Sequence, residues 1–295
     1  MLTTLRHSPK SPIAKLVLLS AAAIVAGAEA RSAEPTSPRV SAGLELLYDF
    51  GGTGAGADAG TIGDKSGVGA PLDLTIVGSN AVWRSEQGLN IGGETLIRSK
   101  EPPRKLTNAV RASGAISVEV WFRPANLGQS GPARIVTLSR NGSERNFTLG
   151  QDGNRIDVRL RTTATSANGT PSLASKKKAL KPELTHVAYT RGPGGEARIY
   201  INGKLNSSAA VRGDFSNWDD SYRLGLANEL SSDRPWRGTI RLVALYSRDL
   251  APEEVLQNFR AGPDATRDPA EIDPAAQNAR LFEDGVAAVL SRNCL

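Results

Sequence analysis

The chain has 295 residues, a formal net charge of +6, 39% hydrophobic residues and 5% aromatic residues, enough for one large domain with appendages or two small domains and too weakly basic to argue for nucleic acid. One cysteine excludes an intrachain disulfide and any zinc site built from several thiolates, and two histidines limit imidazole metal chemistry just as tightly. Thirty glycines and 17 prolines in a helix-poor chain lean towards a β-sandwich or barrel.

Arg6, Lys10 and Lys15 precede an apolar run from Leu16 to Gly27, and Ala28-Glu29-Ala30 supplies small residues at the spacing a signal peptidase reads. Residues 1–30 are therefore expected to be a signal peptide. The alternative, an uncleaved anchor, is disfavoured because about 20 apolar residues are needed to cross a bilayer. The mature chain is expected to be secreted or periplasmic, without a membrane span. Residues 1–30 carry three cations and one anion, so the net charge without them is +4 rather than +6. Residues 31–43 are polar, contain two prolines and read as a linker.

From Leu44 the pattern changes to short apolar segments separated by turn signals. Leu44 to Phe50 reads as a first strand, and the loop from Gly51 to Gly69 holds eight glycines. Strands follow at Leu72 to Val77 and Ala81 to Arg84. From Ile116 to Arg123 the period is two: Ile116, Val118, Val120 and Phe122 share one face, and Ser117, Glu119, Trp121 and Arg123 the other. Further strands are expected at Arg134 to Ser139, Asn146 to Gln151 and Arg155 to Arg161, with Asp152-Gly153-Asn154 as a hairpin turn. A long polar loop fills 162–182. It contains the basic cluster Lys176-Lys177-Lys178 with Lys181, read as a solvated loop, with a patch for acidic glycans or nucleic acid as the alternative. Thr185 to Thr190 and Ala197 to Ile201 pair next. Asn202-Gly203 supports positive φ at both turn positions and predicts a type I′ turn. Tyr222 to Leu226 and Gly238 to Tyr246 complete the set. In the last, Ile240, Leu242, Ala244 and Tyr246 are expected to face one way and Val243 and Leu245 the other, as in a central strand covered on both sides. Helix is expected only at the end of the domain, from Pro252 to Phe259.

Four segments in order carry a resemblance: Leu47-Tyr48-Asp49-Phe50 followed by Asp64-Lys65-Ser66-Gly67; Ser117 to Pro124; His186 to Thr190 running to Arg198-Ile199-Tyr200-Ile201-Asn202-Gly203; and Arg234-Pro235-Trp236-Arg237-Gly238-Thr239-Ile240 ending in Ala244 to Glu254. Together they resemble the LamG-like jelly roll of the concanavalin A-like lectin/glucanase superfamily. The resemblance implies an all-β, two-sheet antiparallel jelly-roll β-sandwich over residues 44–262.

Most members of that family are implied to be non-catalytic modules for glycans or proteins, often with calcium on the rim; some relatives are glycosidases. A retaining glycosidase needs two carboxylates about 5 Å apart. The glucanase pattern E-x-D-x-x-E is missing, Glu119 is the lone acid of its strand, 238–246 carries none, and Glu253 and Glu254 face different ways on a helix. The chain is therefore read as no enzyme. The Asp of D-x-S-G, here Asp64, is the implied calcium residue; its alternative is an Asx turn before Ser66-Gly67. Arg241 stands where the family often has an acid, and a cation there would repel calcium. For a ligand, two loops combine aromatic and polar residues: Trp218 with Asp219, and Asn228 to Trp236. The competing reading puts Trp218 and Trp236 at the edge of the sandwich as core plugs. Trp121 is expected beneath the other sheet's loops, and His186 as a structural histidine. Four N-x-[ST] sites, at Asn141, Asn146, Asn168 and Asn206, read as turn chemistry.

Residues 263–274 read as a second linker and 275–295 as a helical tail. Phe282 to Leu290 resembles the helix that enters c-type cytochrome domains of secreted bacterial proteins, where C-x-x-C-H follows. Cys294 would then be the first haem-attaching cysteine, and the chain is expected to continue; otherwise Cys294 is a leftover thiol. The leading functional expectation is a secreted, non-catalytic module for a glycan or partner protein. The alternative is an accessory sandwich of a larger periplasmic c-type cytochrome.

Overall fold

The computed structural model describes residues 38–51, 60–78, 82–85 and 87–263. The expected signal peptide, residues 31–37 and 264–274, and the tail with Cys294 lie outside the described residues. In chain order the elements are β1 (Leu44–Asp49), β2 (Thr61–Ile62), β3 (Leu74–Val77), β4 (Val82–Ser85), β5 (Gly88–Ile91), β6 (Leu96–Ser99), α1 (Arg104–Ser113), β7 (Ile116–Pro124), β8 (Ala133–Asn141), β9 (Glu144–Asp152), β10 (Arg155–Leu160), β11 (Leu173–Ala174), β12 (Thr185–Arg191), β13 (Glu196–Ile201), β14 (Lys204–Ala210), β15 (Arg223–Leu226), β16 (Gly238–Tyr246) and α2 (Pro252–Ala261). No helix among the described residues is long and apolar enough to cross a membrane.

The strands form two antiparallel eight-stranded sheets, the jelly-roll sandwich that the motif order implies. The first runs β14-β13-β12-β7-β16-β5-β4, with β1 also pairing β16; the second runs β11-β10-β9-β8-β15-β6-β3-β2. The period of two in β7 sends Val118, Val120 and Phe122 into the layer between the sheets, where they join Val187 and Val243 from the first sheet and Ile135, Leu149 and Leu224 from the second. Asn202 and Gly203 both have positive φ, 50° and 73°, as the type I′ turn requires.

Three features depart from the sequence pattern. First, α1 precedes β7, where no helix is expected. Leu106 and Val110, four apart, bury one stripe, Pro103 precedes the first turn, and Gly114 closes the helix at φ 65°. Second, β16 bulges between Ile240 and Leu242. The extra residue, Arg241, reverses the alternation, so Ile240 packs in the central layer with Val243 and Leu245, while Leu242, Ala244 and Tyr246 face outwards. Third, the linker reading fails at its C-terminal end, because Arg39 and Val40 are buried in the domain.

That burial has an electrostatic cause. On the outer face of the first sheet, Glu119 is wholly buried beneath α2 and the segment leading into β1. Arg39 forms an ion pair with it. His186 Nε2 lies 3.1 Å from Glu119 Oε1, and Asn258 Nδ2 on α2 donates to Oε2 at 2.8 Å. Asn258 Oδ1 in turn accepts from Val40 N at 2.8 Å. Phe259 stacks on Trp121 with centroids 5.7 Å apart, so Trp121 is covered by α2 and not by loops of the other sheet. His186 is the structural histidine of this cluster, packed 5.0 Å from the Trp121 ring.

Burial alone would raise the Glu119 carboxyl, but the Arg39 guanidinium and then His186 outweigh it and hold the group at about 2. The unfolded value is roughly 4.3, so the contribution of Glu119 is complete above that pH and is lost as pH falls towards 2. Glu119→Gln is expected to lower stability at neutral pH by about 3–5 kcal/mol, since it leaves Arg39 buried without its counter-charge. Urea midpoints measured from pH 5 down to about 2.5 should fall less steeply for this variant than for the parent. Parallel slopes would contradict the assignment.

Candidate functional site

The second sheet carries its polar residues on the face turned away from the core. Arg134 and Arg145 are fully buried there, and both converge on one buried carboxylate, Glu229. Arg134 Nε donates to Glu229 Oε2 at 2.8 Å, Arg145 Nη1 is 3.8 Å from the same oxygen, and Ser139 Oγ donates to Oε1. Burial, then the neighbouring Arg134, brings Arg145 down to about 10. Glu229 is thus the pin that fastens the loop between β15 and β16 over the sheet. Trp236 N donates to Ala227 O at 2.8 Å, and Asn228 Oδ1 accepts from Arg234 N at 3.0 Å.

The loop between β14 and β15 is fastened beside it. Asn146, in β9 and not in a turn, clasps Asp219 through two bonds of 2.9 Å to its backbone N–H and carbonyl. Arg111 of α1 reaches both oxygens of Asp220 at 2.7 and 2.8 Å and also donates to Trp218 O. Asp219 Oδ1 accepts from Ser221 N at 2.8 Å and from Ser221 Oγ at 2.5 Å. Although burial acts the other way, these bonds hold the Asp219 carboxyl below the usual carboxylate range.

The structure brings together the two loops singled out in the sequence but buries their aromatics. Trp236 is fully buried, edge-on to Phe122, and donates to Gln151 Oε1 at 2.9 Å. Trp218 is 3% exposed and donates to Arg161 O at 2.7 Å. Asn228 is 1% exposed and caps its own loop. These side chains hold the loops in shape and have no face to offer a ligand. Asp219 alone of the four predicted residues lies at the surface.

Between the loops lies an open groove of about 340 Å³, lined by Arg98, Arg140, Ser221, Tyr222, Arg223 and Leu230 among others. Its floor follows from register. Arg223 pairs with Ser139, and Gly225, the next outward residue of β15, pairs with Arg98. Arg98 and Arg223 therefore share one face as diagonal neighbours, with Cα atoms about 7–8 Å apart. Gly225 leaves room for Leu230, whose Cδ2 would lie 2.9 Å from any Cβ placed there. Arg140 is 3.7 Å from Glu144. Arg98 and Arg223 have no hydrogen-bond or ion-pair partner among the described residues. The sequence shows alternation in the strand of Arg223, but no pattern marks Arg98 as its neighbour. A second hollow, of about 400 Å³, lies at the β13–β14 hairpin with Glu196, Arg198 and Arg212 on its wall. Lys176, Lys177 and Lys178 are exposed.

Asp64 does not present a donor set that fits calcium. Its Oδ1 accepts from Leu47 N at 3.2 Å and Ser66 N at 2.9 Å, and its Oδ2 accepts from Leu72 N at 3.2 Å. Lys105 Nζ of α1 sits 2.6 Å from Oδ2, so an ammonium already occupies the cation position. No group of three or more His, Cys, Asp or Glu that could hold a metal occurs among the described residues. The Asx-turn geometry at Ser66 is present in full.

The chain belongs to the laminin G-type family of the concanavalin A-like lectin/glucanases superfamily, whose sequence profile matches residues 101–256. No curated protein matches the sequence. Among solved structures, the binding domain of botulinum neurotoxin DC in complex with rat synaptotagmin II is similar, at 16% identity and TM-score 0.53, over 74% of this chain and 51% of that one. A Trypanosoma rangeli sialidase aligns at 17% identity and TM-score 0.53, over 77% of this chain and 34% of that one. The fourth domain of an extracellular arabinanase from Geobacillus stearothermophilus, in complex with arabinotriose, aligns at 19% identity and TM-score 0.50, over 75% of this chain and 98% of that domain. The chain spans about half the length of the neurotoxin domains it matches. These likenesses show the fold, and they include both binding domains and a glycosidase.

Calcium added to the protein is expected to leave its thermal midpoint unchanged, whereas Lys105→Met should lower stability by about 3 kcal/mol by stranding the buried Asp64. A midpoint that rises with calcium would overturn the fit described above.

Proposed function

We propose that the chain is an exported, non-catalytic binding module, secreted or periplasmic, whose ligand occupies the groove between the 217–222 and 228–236 loops. The observation that carries this reading is the groove itself: an open hollow whose two walls are fastened by Glu229, Asn146 and Arg111 before any ligand arrives. Walls that are already ordered cost little further entropy on binding. Export is supported by the leader-like residues 1–30.

The ligand class is a glycan or a partner protein. Two structural neighbours support it, one being in complex with synaptotagmin II and one with arabinotriose. The absence of catalysis is supported by the acids. Glu119 is buried and neutralised under α2, β16 carries no acid, and Glu229 is buried between two arginines. None of these is a solvent-facing pair at the roughly 5 Å separation a retaining glycosidase needs.

The full chain on an array of glycans and extracellular proteins is expected to retain at least one ligand and to release no reducing ends from it. Reducing ends released by the purified parent, above the level of a heat-denatured control, would overturn the non-catalytic reading. An array without a retained ligand would overturn the binding reading.

A further inference from the structure

The groove has a specific chemical bias. Arg98 and Arg223 stand side by side on its floor without a counter-charge among the described residues, and Arg140 on its rim shares Glu144 only at 3.7 Å. Beneath them, Arg134 and Arg145 share the single carboxylate of Glu229, and Arg134 Nη2 and Arg145 Nε are buried without a hydrogen-bond partner. Positive charge therefore exceeds negative charge both on the floor and under it. Against this excess stand Glu144, Asp219 and Asp233, the last lying beside Gly142 and already paired with Arg234 at 2.9 Å. The Asp219 oxygen Oδ1 is already engaged by Ser221. Five guanidinium groups outnumber the carboxylates that Glu229, Glu144 and Asp219 set against them, and the remaining positive charge favours a further anion at Arg98 and Arg223.

Resting on the reading above that the groove is the binding site, we propose that its ligand is an acidic sugar: a hydroxylated ring bearing a singly charged oxyanion, carboxylate or sulfate ester, held between Arg98 and Arg223. The planar guanidinium fork matches such an oxyanion with paired, charge-assisted hydrogen bonds. Ser221 Oγ, which donates its hydrogen to Asp219, keeps its lone pairs for a sugar hydroxyl. Leu230 offers an apolar wall for the ring face.

An acidic peptide fits less well. Extended peptides dock by adding a strand to an open edge. The floor of this groove is made of β8, β15 and β6, and β15 is paired on both sides, to β8 and to β6. No backbone ladder is open there, so recognition falls to side chains.

The test compares binding of the full chain to polygalacturonate, dextran sulfate and neutral dextran at low and high salt. The parent is expected to bind at least one acidic polymer, more weakly as salt rises, and to bind dextran at least tenfold less well. Which acidic polymer binds tells carboxylate from sulfate ester. Arg98→Gln with Arg223→Gln should weaken acidic binding by about a hundredfold with the thermal midpoint unchanged or raised, because two like charges are removed. Arg155→Gln, elsewhere on the second sheet, should stay within about twofold of the parent. Dextran bound as well as the acidic polymers, with the double variant unaffected, would overturn the acidic assignment and leave the binding function standing. If an acidic polymer binds but the double variant retains it, the site is elsewhere. Failure to bind any polysaccharide, with a protein captured on the array, would overturn the sugar assignment alone.

Discussion

One buried carboxylate closes the first sheet. Glu119 sits on the middle of β7, in a place that α2 and the entering chain both cover, and a lone negative charge there would be intolerable. Its partners come from four separate stretches: Arg39 before β1, His186 on β12, Tyr246 at the end of β16 and Asn258 on α2. The stacking of Phe259 on Trp121 and the seating of Val40 follow from that arrangement. The same charge removes the strand's one acid from any chemistry at the surface.

The second sheet uses the opposite balance. Its outer face buries two arginines for one glutamate, and the glutamate belongs to a loop, so the loop is tied down by attraction to the sheet. The neighbouring loop is tied by α1 through Arg111 and by β9 through Asn146. A helix placed at the crossing from one sheet to the other thus shapes a groove to which it contributes no lining residue. Fold and site are linked through these ties, because the sandwich alone does not determine what its loops present.

Much of the architecture was legible in the sequence because strand alternation and turn chemistry are local. The alternation of β7, the Asn202-Gly203 turn and the Pro252 helix needed only neighbours in the chain to read. The misreadings have non-local causes. The bulge at Arg241 reverses one residue of alternation through pairing with β7, which the chain does not display. The helix at Arg104–Ser113 has only two apolar side chains on its buried stripe and passes for a polar loop. Trp218 and Trp236 sit among the polar residues of two candidate loops, yet both are drawn inwards by indole N–H partners that come from β9 and from Arg161 just after β10. The pairing of Arg98 with Gly225 joins residues 127 positions apart, so the floor of the groove was invisible until the sheet was assembled.

The first strand pairs with the last. Leu47 faces Ala244 and Tyr48 faces Val243, and Glu119 has its full set of partners only once Asn258 exists. Contacts between such distant parts of the chain make folding slow and leave little for an incomplete chain to gain by collapsing early. During synthesis, therefore, β1 waits without its partner and Arg39 without its closed pocket until nearly the whole domain has been made.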